Sequence, residues 1–93
     1  MNESKALLVL HGKQTLNDGV RAAVKEWRQL GNELAVRVTW EPGDAGRLVK
    51  EALAAGYRTL IAGGGDGTLR EVALALLQSG ADASLALLPL GTA

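Results

Sequence analysis

Gly63-Gly64-Gly65-Asp66-Gly67-Thr68 lies between an apolar run, Thr59 to Ala62, and an amphipathic stretch that begins near Leu69. Glycine is costly inside regular structure and is tolerated where the backbone takes a positive φ or lets another group approach closely. A glycine-rich turn exposes backbone N–H groups, and a helix behind it adds roughly half a positive charge at its first turn. The stretch therefore predicts a phosphate-binding loop between a strand and a helix.

Short aliphatic runs alternate with helical periods on both sides of this loop. The continuous apolar run Ala6 to Leu10 predicts a strand that is covered on both faces. Leu34 to Trp40 and the continuous apolar run Leu85 to Leu88 predict two further strands. Amphipathic helices are predicted after the first three strands, each followed by a glycine: Gly31, Gly56 and Gly80. This β-α-β-α-β-α-β order predicts a three-layer α/β/α fold with a parallel sheet of alternating β-α units.

Residue spacing also specifies two helix starts and one helix face. Thr15 and Asp18 stand at capping-box spacing, which predicts that Thr15 begins the first helix. Asp44 follows the strand break at Glu41-Pro42-Gly43 and is predicted to cap the second helix. The first helix is expected to pack through residues three and four positions apart: Leu16, Val20, Val24, Trp27 and Leu30.

Composition limits the partners that the chain can attract. The 93 residues are 47% hydrophobic and only 3% aromatic, so one small domain with an aliphatic core is expected. Ten basic and ten acidic residues balance, so no global field draws the chain to nucleic acid or to an anionic membrane. The absence of cysteine agrees with a cytoplasmic location, and no apolar run approaches the ~20 residues of a membrane span.

In a parallel α/β sheet, ligands bind beyond the carboxyl ends of the strands. Four loops are predicted there, and all of them contain glycine: His11 to Gln14, Trp40 to Asp44, Gly63 to Thr68 and Leu90 to Ala93. Two common phosphate motifs do not fit these loops. The P-loop needs Ser or Thr after Gly-Lys, whereas Gln14 follows Gly12-Lys13. The dinucleotide fingerprint needs a glycine where Thr68 stands, and it follows the first strand rather than the third.

A more specific resemblance rests on four segments that occur in order. Gly64-Gly65-Asp66-Gly67-Thr68 matches the GGDGT signature of diacylglycerol kinase catalytic domains, sphingosine kinases, NAD kinases and phosphofructokinases. Glu71-Val72 and the ending Leu88 to Ala93 resemble the lipid-kinase branch. Val38 to Ala45 resembles the second-strand element of the bacterial YegS-type lipid kinases, and Leu8 to Lys13 resembles their first. The chain thus resembles the diacylglycerol kinase catalytic-domain family over essentially all of its length.

The resemblance implies that residues 1–93 are the nucleotide-binding N-terminal domain of a two-domain lipid kinase. It implies ATP and Mg²⁺ as cofactors and a lipid such as diacylglycerol or phosphatidylglycerol as substrate, with peripheral membrane contact by the longer protein. The implied ATP-binding residues are Thr39, Gly64, Gly65, Asp66, Gly67, Thr68, Leu69, Glu71 and Thr92. The chain departs from the family at His11, where the family usually has Asn, and at Arg70, where it often has Asn.

In the family, the catalytic carboxylate, the metal ligands and the lipid groove lie largely in a second, β-rich domain. No catalytic or metal-binding residue is therefore assigned in this chain. The ending Leu90-Gly91-Thr92-Ala93 looks like a strand-to-loop junction with no helix after it, so the chain is expected to be cut before that second domain and to be inactive alone.

Other interpretations of the same residues remain open. A domain like that of NAD kinases would carry the same loop, and a non-catalytic α/β interaction module could use it as a plain turn. Asp66 could form a turn before the helix instead of meeting Mg²⁺, and Glu71 could serve the dipole of the first helical turn. His11 is expected to end a strand, and Trp27 and Trp40 are expected to pack in the core or at its edge.

Overall fold

The computed structural model describes residues 5–88, which form a four-stranded parallel sheet and three α-helices. The strands are β1 (Lys5–His11), β2 (Glu33–Thr39), β3 (Thr59–Gly63) and β4 (Ser84–Leu87). The helices are α1 (Asp18–Gln29), α2 (Asp44–Ala54) and α3 (Asp66–Ser79), and a 3-10 turn over Gly12–Gln14 follows β1. Strands and helices alternate along the chain, so the predicted α/β fold is confirmed.

The strand order in the sheet is β2-β1-β3-β4, and every neighbouring pair is parallel. Successive residues of β1 point to opposite faces and pack into two separate clusters. Leu7 and Val9 pack with buried residues of α2 and α3, such as Val49 and Val72. On the other face, Leu8 and Leu10 pack with residues that include Val20 of α1. Helices therefore cover both faces, which is the predicted three-layer arrangement.

The two continuous apolar runs behave differently. Residues 6–10 of β1 are buried, as predicted for a central strand that has helices above and below it. All four residues of β4 are exposed, although Leu85 to Leu88 is also a continuous apolar run. The reason is position, because β4 lies at the edge of the described sheet and pairs with β3 alone.

The start of α1 differs from the prediction. Its N-cap is Asn17, whose side-chain oxygen accepts hydrogen bonds from the amides of Gly19 and Val20 at 2.8 and 3.2 Å. Thr15 does not cap this helix, because α1 begins three residues later and Asn17 occupies its N-cap position. Thr15 instead ends the 3-10 turn, where its amide donates to the carbonyl of Gly12.

The predicted apolar face of α1 is correspondingly shorter than expected. Leu16 lies before the helix and Leu30 is its C-cap, and both are exposed. Val20 is buried and Val24 packs against the core. At the end of β2, Trp40 lies one residue beyond the strand.

Within residues 5–88, no helix has the length and apolar character needed to cross a membrane.

We expect Leu60→Ala to destabilise the domain by about 2–5 kcal/mol. Leu60 lies in β3 with 0% of its surface exposed, so the truncation leaves a cavity in the core. Leu16→Ala removes the same atoms from a side chain that is 83% exposed and serves as the matched control, with an expected effect within about 0.5 kcal/mol. Urea unfolding followed by circular dichroism measures both, and equal losses would contradict the described core.

Candidate functional site

Three strands end side by side at one edge of the sheet. The register pairs His11 with Thr39 across β1 and β2, and Leu10 with Gly63 across β1 and β3. Because all three strands run in the same direction, the loops that follow them meet at this edge. The predicted site loops after the first three strands are therefore neighbours, whereas the predicted loop Leu90 to Ala93 lies outside the described residues.

The glycine loop is shorter than the sequence suggests, because α3 begins at Asp66 and not near Leu69. Only Gly64 and Gly65 connect β3 to the helix, and Asp66, Gly67 and Thr68 form its first turn. The amide of Leu69 donates to the carbonyl of Gly65 at 3.2 Å, which is the first bond of the helical ladder. The three preceding amides have no acceptor among residues 5–88, as is usual at a helix start without a side-chain cap.

Open space lies beside this uncapped turn. A Cβ atom built on Gly65 or Gly67 would meet no other group within 4 Å. The free amides and the helix dipole together favour an anion there. The first turn of α3 therefore presents free amides to open space, and its glycines contribute no obstructing side chain.

Gly64 is required for a different reason. A Cβ at this position would lie 2.6 Å from the hydroxyl oxygen of Thr68 and 3.0 Å from the Cβ of His11, so the backbone passes too closely for any side chain. The glycines at 63, 64, 65 and 67 are not among the described glycines with positive φ. Gly64 therefore allows a close backbone approach, as expected. None of these four glycines needs the left-handed backbone that glycine also permits.

A cavity of about 190 Å³ joins this turn to the ends of β1 and β2. Its lining includes four predicted site residues, Thr39, Gly67, Thr68 and Glu71, and four more: His11, Trp40, Glu41 and Pro42. Thr39 and Thr68 are buried residues. In the described chain, every side-chain oxygen or nitrogen that is fully buried has a hydrogen-bond partner. Neither threonine hydroxyl bonds to another group among residues 5–88, so both remain available to a ligand.

Glu71 connects α3 to the turn after β2. Its carboxylate accepts a hydrogen bond from the amide of Gly43 at 3.4 Å, across 28 positions of sequence. Glu71 is the sixth residue of α3, so the alternative in which it serves the first helical turn does not hold. Asp66 occupies that first turn. It lies inside the helix and its carboxylate accepts no hydrogen bond within residues 5–88, so it is not a turn-forming residue before the helix.

Asp44 fixes the shape of the turn between β2 and α2. Its carboxylate accepts hydrogen bonds from the amides of Trp40 at 2.8 Å and Glu41 at 3.0 Å. The prediction that Asp44 caps α2 is therefore wrong: Gly43 is the N-cap, with φ of 95°, and Asp44 turns back to the preceding residues. The two backbone hydrogen bonds, aided by Arg47, lower the pKa of Asp44, because they stabilise the ionised carboxylate.

The remaining predicted residues lie around the cavity or beyond the described chain. Gly64, Gly65 and Asp66 form the loop and first turn beside it. Leu69 packs against the core cluster under α2 and α3, so its side chain anchors the helix. Thr92 lies outside the described residues. In residues 5–88, no group of three or more His, Asp or Glu residues is arranged to hold a metal ion.

Four lining residues were not assigned to the ATP site individually, although their loops were predicted to lie at this edge of the sheet. His11 and Trp40 were expected to end a strand and to pack, and Glu41 and Pro42 to break a strand. The signal that could have found them is register: once β1 and β2 are parallel neighbours, the residues after both strands must meet at the site.

Comparisons with known proteins identify one family model and several similar sequences and structures. The model of the diacylglycerol kinase catalytic domain matches residues 5–93. Over all 93 residues the chain is 70% identical to a Pseudomonas aeruginosa protein named "Probable lipid kinase YegS-like", of which it covers 31%. It is 69% identical to a Pseudomonas fluorescens protein of the same name, of which it covers 30%. The chain thus spans about a third of the length of these relatives.

Solved structures from Bacillus anthracis strain Sterne share the fold. One, described as a diacylglycerol kinase, superposes with a TM-score of 0.75 at 27% identity, covering 99% of this chain and 35% of that chain. Another gives a TM-score of 0.81 at 28% identity, covering 99% of this chain and 34% of that chain.

We expect Asp44 to stabilise the fold at neutral pH and to lose this effect in acid. The folded pKa is lowered, so the contribution is complete above the unfolded value of about 4 and disappears as pH falls through the folded value. Asp44→Asn should therefore unfold at lower urea concentration than the parent at pH 7, with a smaller difference at pH 3. Asp82→Asn removes an exposed carboxylate that makes no hydrogen bond within residues 5–88, and should be neutral at pH 7. An equal Asp44→Asn effect at both pH values would contradict this account.

Proposed function

The chain belongs to the diacylglycerol kinase catalytic domain family, and from this we propose that it is the nucleotide-binding part of a lipid kinase. The reaction proposed for the whole protein transfers the γ-phosphate of ATP to the hydroxyl of a lipid of the diacylglycerol or phosphatidylglycerol type. The observation that carries the proposal is the uncapped first turn of α3, which presents free amides beside glycines with open space at the family's signature sequence.

The first turn of α3 suits phosphate oxygens. The amides of Asp66, Gly67 and Thr68 lack acceptors within the described chain, and the helix dipole adds positive potential at the same point. A phosphate can come close because Gly65 and Gly67 leave the space empty. In this proposal these backbone groups hold the phosphates, and ATP supplies the transferable phosphoryl group.

Asp66 is the acidic residue in the first turn of α3. A carboxylate beside a triphosphate is repelled unless a cation lies between them, and Mg²⁺ prefers oxygen ligands of this kind. Asp66 is exposed and accepts no hydrogen bond from residues 5–88, so its oxygens are available. One carboxylate is not a complete ligand set, and the other ligands would come from the nucleotide, water and residues beyond those described.

The two threonine hydroxyls can serve either the phosphates or the nucleoside of a bound nucleotide. Thr39 and Thr68 line the same cavity, which extends from α3 to the end of β2. A hydroxyl both donates and accepts, so these side chains can bond to a ribose or base as well as to phosphate. We include Thr92 in the proposed nucleotide site on the family resemblance alone.

Phosphoryl transfer needs a group that orients or deprotonates the acceptor hydroxyl. Within residues 5–88, the only carboxylates at the cavity or the first turn of α3 are Asp66, Glu71 and Glu41, and Glu71 already bonds to the turn after β2. On the family resemblance, we propose that the catalytic base and the lipid site lie in the part of the longer protein that this chain does not span. The 93-residue chain alone is then inactive, and the complete protein acts from the cytoplasm on lipid at a membrane surface.

The central test uses Gly67→Ala and Gly46→Ala in the protein expressed from its complete coding sequence. Both glycines lie in the first turn of a helix and both have open space at the Cβ position, so each change should be neutral or stabilising by up to about 1 kcal/mol. Only the methyl group at 67 enters the proposed phosphate space. Such overpacking costs about 1–3 kcal/mol, or roughly 5- to 150-fold in ATP affinity.

Calorimetry with Mg-ATP measures the affinity, and thermal unfolding verifies that both variants fold. Unchanged ATP affinity in Gly67→Ala would remove the phosphate role of this turn. No binding of ATP by the folded parent protein would favour a non-catalytic module instead.

Asp66→Ala tests the proposed Mg²⁺ role. We expect the complete protein to lose lipid phosphorylation while its unfolding midpoint changes little, since the side chain is exposed and accepts no hydrogen bond in the described chain. Asp82→Ala, at an exposed carboxylate in the turn before β4, provides the control and should retain full turnover. Normal turnover by Asp66→Ala would show that the carboxylate has no part in the reaction.

A further inference from the structure

Trp40 is a large aromatic residue that is mostly exposed to solvent, so core packing does not explain its position. It follows the end of β2, and 72% of its surface is exposed. An aromatic side chain at this position is expected to pack in the core or at its edge. Burial of an aromatic ring is favourable because it removes apolar area from water. Because Trp40 is mostly exposed, it contributes little of this free energy to folding. It lies in the lining of the cavity that also contains Thr39 and Thr68.

The position of Trp40 is fixed although its ring is exposed. Its backbone amide donates to the Asp44 carboxylate at 2.8 Å. Its six-membered ring rests against Gly12, where a Cβ atom would lie only 2.5 Å from Cε3 and Cζ3 of the indole. One side of the ring is therefore supported by backbone that carries no side chain, and much of the remainder faces solvent.

The two ends of the cavity differ in chemistry. At the α3 end, Gly67 and Thr68 present free amides and a helix dipole that favour anions. At the other end, Trp40 and Pro42 are apolar and Glu41 is acidic, and no lysine or arginine is among the lining residues that the structure describes. That end disfavours a second anion and suits a flat, neutral group, to which the carboxylate could accept a hydrogen bond from an amine.

From these observations we propose that the Trp40 indole, seated on Gly12, is the stacking surface for the base of the bound nucleotide. This inference rests on the proposed nucleotide-binding function and names the residue that distinguishes a nucleotide from a bare polyphosphate. A base presents a π-face that stacks on an aromatic ring, and a stacked base loses roughly 5- to 150-fold in affinity when the aromatic side chain is replaced by alanine.

The experiment compares two ligands, Mg-ATP and inorganic tripolyphosphate with Mg²⁺, by calorimetry on the protein expressed from its complete coding sequence. Trp40→Ala should weaken ATP binding by about ten-fold or more and leave tripolyphosphate binding unchanged, because only ATP carries a base. Trp40→Phe keeps an aromatic face and should retain most of the ATP affinity. Trp27→Ala deletes the other indole of this chain, on α1 and away from the cavity, and should alter neither affinity.

Several results would overturn the proposal. Equal weakening of both ligands by Trp40→Ala would mean that the ring shapes the phosphate end and not a base site. Unchanged ATP affinity would remove the stacking role, including the case in which Trp40→Ala raises only the KM for lipid. If the folded parent bound neither ligand, the proposed nucleotide function would itself fail. If the parent bound both and only the Trp40 pattern were absent, the stacking inference alone would fail.

Discussion

The burial of β1 between two parallel neighbours is the constraint on which the rest of the structure depends. Residues 6–10 of this strand are covered by helices on both faces and hydrogen-bonded along both edges. A shift of one residue in either pairing would exchange the side chains that β1 presents to the two core clusters. The same register sets His11 beside Thr39 and Leu10 beside Gly63. The packing of the core therefore determines which loops meet at the site.

The sequence predicted the elements better than their beginnings. Strand and helix alternation follows from apolar periodicity, and the glycines expected after the helices, Gly31, Gly56 and Gly80, all have positive φ. Helix starts depend on which nearby polar side chain reaches the free amides, and several compete within a few residues. Asn17 takes this role where Thr15 was expected, and Asp44 bonds backward to Trp40 and Glu41 instead of forward into α2.

The candidate site was predictable where a motif marks it and unpredictable where tertiary register forms it. The glycine loop predicts an anion site, and the free amides in the first turn of α3 support that interpretation. The physical role of its glycines was only partly foreseen, since Gly64 avoids a clash and Gly65 and Gly67 leave space, without left-handed backbone. Trp40 and Pro42 lie in a loop that was predicted at this edge, but their place in the cavity lining depends on β2 ending beside β1. Thr92 remains a prediction outside the described residues.

The uncapped start of α3 has a consequence for the free energy of the whole domain. Val72 and Ala75 of this helix are buried in the main core, while Gly65 at its N-cap supplies no side-chain acceptor. An anion in the first turn would complete the helix as a cap residue normally does, and a ligand that binds only the folded state stabilises it by about 2.7 kcal/mol at 100 times its Kd. Through α3, anion binding at the site would then be linked to the stability of the core, so that a bound anion raises the melting temperature of the domain.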